Sequence, residues 1–360
     1  MDGRSNSLLF GRGGRRAFSL VELLVVIAII ALLVSILLPV LGQARRSSKQ
    51  VQNLANLRQL GSATQAYGSD FQDRIWAFSW KGGVNYSPRD NGPPVQYTSS
   101  NDLDAAAQQA ADIIRRRAEP GWPNFPTQPA WIPHVFYSHL VIMDYLAARL
   151  PEPIIRSPFD RVRQQWADAL WDDPAHPELV PQRFNLPQER WPYSSSYETA
   201  PASYSPDRWT TDGGRLGHLG TEWGVYIYNP GTSGNYRLGG RRLGDVAYPS
   251  HKVHLFENVM RHDGRAERYW THWRAKVCVL SFDSSVSLLA TPDANQGGHL
   301  QPTNLGRRAP IRYVRAGAPD RGFPAWGDDD STLLQPARYR WTIGGIRGAD
   351  FGQGEPFGVQ

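Results

Sequence analysis

Cysteine is nearly absent: Cys278 is the only one in a chain of 360 residues. An intramolecular disulfide is therefore excluded, and any folded domain must be held by packing. Long apolar runs are equally scarce. One spans residues 18 to 39, and elsewhere the chain is polar enough to bring the mean hydropathy to −0.47. This describes a loop-rich domain, with 28 Pro and 34 Gly, hung from one apolar segment. Excess charge is small as well. Arg4, Arg12, Arg15 and Arg16 against Asp2 put +3 in the first 16 residues, half of the formal +6, so the remainder carries no nucleic-acid footprint. Catalytic signatures are also missing. Ser281 has no nucleophile elbow around it. The pair His262 and Asp263 lacks the further ligands of a metal phosphohydrolase, and His251 and His254, three apart on a predicted strand, point to opposite faces. The chain reads as a non-enzyme.

What is present begins with that apolar run. Its 22 residues make about 33 Å of helix, enough for a hydrocarbon core of roughly 30 Å. The basic residues before it keep the leader cytoplasmic, so everything after about residue 40 is exported. Within the run stands Glu22. A carboxylate at the centre of such a helix costs about 2.5 to 3.5 kcal/mol, so one just inside the membrane edge calls for a partner. The partner expected here is an α-amino group released by a cut between Ala17 and Phe18. After Ala44 the chain turns polar but keeps helical rhythm, with Val51, Leu54, Leu57, Leu60, Ala63 or Thr64, and Tyr67 forming a stripe. The spacing predicts one helix over 18–68, about 75 Å long, with residues 18–40 crossing the membrane and 41–68 amphipathic. Gly61 is its weak point.

The stretch Arg16-Ala-Phe-Ser-Leu-Val-Glu22 and the apolar residues after it resemble the signal of type IV pilins and type II secretion pseudopilins. The resemblance implies that residues 1–17 are a leader, that a prepilin peptidase cuts before Phe18 and methylates it, and that Glu22 is the charge-pairing acid of assembly. It places Pro39 on the family's helix-loosening proline. It implies an α+β fold, in which the long N-terminal helix packs on an antiparallel sheet, with loop-rich insertions. It further implies a single-pass inner-membrane protein whose partners are other pilin or pseudopilin subunits, an assembly platform and the lipid bilayer. Ala17 departs from the family, which carries Gly there, and slower processing is expected. Two other readings of the segment remain. One is a secretory signal peptide cut after Ala44, and the other is a plain anchor with Glu22 snorkelling to the interface.

Residues 69–343 are expected to form the exported domain and 344–360 a flexible tail. Residues 79–133, punctuated by Gly, Pro and Ser, read as a surface insertion around a helix from Asp102 to Ala118. A further helix is expected from Val135 to Leu150. Strands are expected at Thr221–Tyr228, Lys252–Phe256, Lys276–Phe282 and Val286–Leu289, the last two joined by a turn at Asp283, Ser284 and Ser285. This tract resembles the C-terminal part of a large group of prepilin-signal proteins, in Pro249-Ser250 with the strand to Glu257, and in His272, the strand after it and Asp283. Ser284 stands where that group has Gly. Arg156-Ser-Pro-Phe-Asp160 resembles a further motif of the group. The aromatic cluster Trp191, Tyr193, Tyr197, Tyr204 and Trp209 suits either a core or a sugar-binding face. The second option leaves open a monomeric, membrane-anchored or secreted binding protein. Asp328, Asp329 and Asp330 are a candidate Ca²⁺ loop; no other cofactor is expected.

Overall fold

The structure, a computed structural model, describes residues 19–87, 96–118, 125–126, 131, 133–146, 150–172, 190–205, 215–218, 226–229, 238–263, 268–270, 272–297, 311–312, 334–335, 338–340 and 342–352. It divides into two compact units, the first ending at Ser48 and the second beginning at Lys49. Helix α1, Leu20–Asp70, runs through both and contains Pro39. In the first unit every described residue of α1 is exposed, including Leu20, Leu24, Ile30 and Leu38.

The second unit is α+β. Its centre is a four-stranded antiparallel sheet of β1 (Tyr197–Thr199), β4 (Val253–Glu257), β7 (Lys276–Ser281) and β8 (Val286–Ala290), in the order β1-β4-β7-β8. Among the described residues three two-stranded ribbons complete the strands. They pair β2 (Arg215–His218) with β3 (Tyr226–Asn229), β5 (Val259–Met260) with β6 (Arg268–Tyr269), and β9 (Ile311–Arg312) with β10 (Leu334–Gln335).

Strand alternation decides what lies on each face of the sheet. Cys278 and Leu280 of β7 meet Leu57, Leu60 and Ala63 of α1, whereas Val277 and Val279 meet Phe256, Trp270 and Tyr339 on the other side. Register slips between Val253 and Leu255 in β4, so Val253 and Phe256 join the second face while Leu255 joins the first. Each fully buried leucine of the α1 stripe contributes about 1.5 to 3 kcal/mol. The β7–β8 hairpin turns at Ser284, whose φ of 67° lies in the left-handed region that glycine occupies without strain. A serine is held there by its hydroxyl, which donates to the Gly61 carbonyl of α1 at 3.2 Å.

Several expectations need correction. Helix α2, Asp102–Arg117, belongs to the core and not to a surface insertion: Ala106, Ala107, Ala110, Ala111 and Ile114 pack against Phe78, Trp131, Leu140 and Trp166. Asn101 caps it, its side-chain oxygen accepting from the Asp104 N–H at 2.9 Å. In place of an α-helix over Val135–Leu150 there is 3₁₀ geometry at Ser138–Tyr145, interrupted at Ile142. The Ser138 hydroxyl takes the His134 carbonyl, which competes with regular helix. Residues 344–352 are not loose. Ile346, Ala349 and Asp350 are buried, and the Asp350 carboxylate accepts from the Val253 N–H at 2.8 Å and pairs with the buried Lys252 ammonium at 3.3 Å. These two polar anchors, to Val253 and Lys252, supplied what the missing hydrophobic pattern of the stretch did not. The aromatic cluster is core as well: Trp191, Tyr193, Tyr197 and Tyr204 are buried and offer no platform to a sugar, and Trp209 lies outside the described residues.

Candidate functional site

The first of two candidate regions is the start of α1. The Ser19 hydroxyl accepts the Glu22 N–H at 3.2 Å, and the Glu22 carboxylate accepts the Ser19 N–H at 2.9 Å. This is a capping box, which satisfies two of the N–H groups a helix start leaves open and favours a negative charge there. The carboxylate therefore folds back to the first turn, beside the backbone of residue 19. Ala17 and Phe18 lie outside the described residues, as do Asp328, Asp329 and Asp330. Pro39 sits inside α1 with exposed neighbours on both sides. Among the described residues α1 is the one helix long and apolar enough to cross a membrane, and its most apolar stretch is wholly exposed.

The second region joins α1 to the sheet, and it brings together motifs that lie far apart in the chain. Ser157 and Asp160, from the stretch beginning at Arg156, converge with Glu257 at the end of β4. The Ser157 hydroxyl donates to Glu257 at 2.8 Å, Ser196 donates to Asp160 at 2.8 Å, and Arg163 and Arg261 pair with Asp160 at 2.7 and 3.2 Å. Burial alone would raise the Asp160 carboxyl, and the guanidinium groups of Arg261 and Arg163 overcome that to hold it well below the ordinary carboxylate range. For Glu257 burial wins, and its carboxyl is raised despite Arg261 and the Ser157 hydrogen bond. Two carboxyl groups in one buried cluster are thus shifted in opposite directions.

Helix α1 closes this cluster with amides. Asn53 donates to Glu257 and to Cys278 Sγ, both at 3.3 Å, and accepts the Tyr197 hydroxyl at 2.6 Å. Gln50 donates to Cys278 Sγ at 3.0 Å, and Asn56 donates to the Arg156 carbonyl at 3.2 Å. Burial, with the Glu257 carboxylate nearby, pushes the Cys278 thiol up to about 12, so it is a poor nucleophile while covered. Sequence reasoning missed these amides. It placed Val51 on the buried stripe, yet Val51 is 64% exposed and Asn53 is fully buried. The available signal was the spacing of Gln50, Asn53 and Asn56, three residues apart on one helical face.

Nothing in either region has the form of a catalytic or metal site. Among the described residues no group of three or more His, Cys, Asp or Glu side chains could hold a metal. His251 and His254 do not share a strand: His251 ends a 3₁₀ turn, while His254 is buried on β4 between the Trp76 and Phe282 rings.

Residues 12–38 match the family model of the prokaryotic N-terminal methylation motif. The N-terminus carries a type IV pilin-like signal. That signal covers the capping box, Glu22 and most of the exposed apolar helix, and it implies processing by a prepilin peptidase, membrane anchoring and assembly with other pilins in general. It supports a pilin-type precursor and suggests a structural subunit. No curated protein and no solved structure matches the chain significantly.

Proposed function

We propose that the chain is a pilin-like subunit, cut before Phe18, N-methylated there, and assembled into a type II secretion pseudopilus or a type IV pilus-like filament. The observation that carries this reading is Glu22. An acid placed near the start of an exposed apolar helix, inside a matched methylation motif, gives the released Phe18 amine an opposite charge to pair with, within or between subunits. Its mechanism is assembly and not turnover. Subunits leave the bilayer and their apolar helices bundle, so that the surface exposed on residues 20–41 becomes filament core. In this reading the leader is cytoplasmic, the second unit is exported from the inner membrane, and the assembly platform is a partner. A minor subunit suits the size of the second unit. No carboxylate cluster in it needs an ion for this role, and Ca²⁺ at Asp328, Asp329 and Asp330 is a separate proposal resting on their acidity alone.

The mature N-terminus tests the first step. N-methyl-Phe18 by mass analysis is expected, whereas a start at Arg45 or Met1 would replace the reading with a signal peptide or a plain anchor. Glu22→Gln tests the second step: cleavage is expected to proceed while incorporation into sheared filaments fails. Normal incorporation of that variant would remove the assigned role.

A further inference from the structure

The buried face of α1 in the second unit changes character along its length. From Leu57 onward it is built of Leu57, Leu60, Gly61, Ala63, Thr64 and Gly68, while before Leu57 its buried residues are Asn53 and Asn56, with Gln50 half-buried beside them. Apolar burial holds the later part, at about 1.5 to 3 kcal/mol for each large side chain, and releasing it exposes hydrocarbon to water. The earlier part is held mainly by hydrogen bonds to Glu257, Cys278, Tyr197 and the Arg156 carbonyl, with Leu54 partly buried against the core and Lys49 over the Phe159 ring. Water can replace each of these hydrogen bonds, so their net worth is only about 0.5 to 1.5 kcal/mol apiece.

We infer that residues 49–56 form a polar clasp that opens and closes on the sheet independently of the rest of the second unit, with Leu57 as its hinge point and Cys278 beneath it. Opening frees the helix stem while the stripe from Leu57 to Gly68 stays docked, because the polar contacts and the partly buried Leu54 are weaker than the fully buried stripe. Local openings of this kind are drawn from the least stable contacts of a structure. On the proposed function, which this inference deepens, the clasp frees residues 49–56 from the sheet when a subunit passes from bilayer to filament.

The lone thiol supplies the test without added labels. Cys278 is fully buried, and the Gln50 and Asn53 side chains both reach its sulfur. A thiol reagent can therefore reach it only through an opening. Labelling of Cys278 in the native, detergent-solubilised full chain is measured across low urea concentrations, with hydrogen exchange followed in parallel. The expected result is labelling far faster than global unfolding allows, with little urea dependence, and backbone amides of residues 50–56 exchanging about tenfold or more faster than those of 57–66. Asn53→Ala is expected to speed labelling about tenfold and leave exchange in β4 and β7 unchanged. Labelling that tracks global unfolding, with the same urea dependence and equal protection on both sides of Leu57, would overturn the clasp. None of these readouts involves filaments, so failure of the assembly reading leaves the clasp standing, and the reverse also holds.

Discussion

The Ser157 hydroxyl donates a 2.8 Å hydrogen bond to the Glu257 carboxylate, although 100 positions separate them in the chain. Through it the segment before α3 (Arg161–Asp172) is tied to the end of β4, and Asn53 ties α1 to the same carboxylate. Glu257→Ala would remove the acceptor of the buried Ser157 hydroxyl and one acceptor of the buried Asn53 amide together. It is expected to destabilise by about 2 to 4 kcal/mol, read as a lower urea midpoint. Glu257→Gln keeps the volume and most hydrogen bonds, and because burial already favours the uncharged form it is expected to cost under about 1 kcal/mol.

Gly61 reads from sequence as a flaw in a helix, and the structure gives it a purpose. A Cβ there would lie 2.9 Å from Leu280 Cδ1 and 3.1 Å from Ser284 Cβ. Gly61→Ala gains about 1 kcal/mol of helix propensity but overpacks the helix–sheet contact by about 1 to 3 kcal/mol. The expected outcome is a net loss in thermal stability. A raised midpoint would show that the helix can lift without penalty.

Three buried histidines set the acid limb of stability. Burial lowers His134, His139 and His254 to about 3 from an ordinary value near 6.5. Between those values the unfolded chain binds protons that the folded chain refuses, so stability is full above about pH 6.5 and falls as pH drops toward 3. The slope is about 1.4 kcal/mol per pH unit for each histidine. His254→Phe, which keeps a ring between Trp76 and Phe282, is expected to flatten the pH dependence of the denaturant midpoint between pH 6 and 4 without abolishing it, because His134, His139, His262 and His272 are lowered as well.

Asp350 is the counter-charge of Lys252, and Thr342 bridges them. Removing it in Asp350→Ala leaves an ammonium with 0% exposure, at an expected cost of about 3 to 5 kcal/mol. The double variant Lys252→Met, Asp350→Ala should recover much of that loss, since no buried charge remains. Equal stability of the single and double variants would show the pair to be uncoupled.

How much of this was legible depends on what kind of force specified each element. The apolar helix, the β7–β8 hairpin and the extent of α2, though not its burial, were readable because hydrophobic period and turn residues act over a few residues. The stem of α1 was misread because Val51 and Asn53 compete for one face, and the winner is set by Glu257 and Tyr197, more than a hundred positions away. The tail was misread for the same reason: Gly344 to Gly352 has no apolar rhythm, and what orders it is Lys252. At the N-terminus the apolar helix and its acid were legible, while the capping box of Ser19 and Glu22 went unread although the two are three residues apart and need no distant partner.

The pairing of Lys252 with Asp350 also sets a schedule. Translation at about 5 to 20 residues per second separates the emergence of the two side chains by roughly 5 to 20 seconds, since 98 positions lie between them. For that interval the Lys252 ammonium stays hydrated, and burying it under the sheet before Asp350 is made would carry a larger desolvation cost. The apolar helix, made first, is thus available to the bilayer well before the part it carries can finish folding.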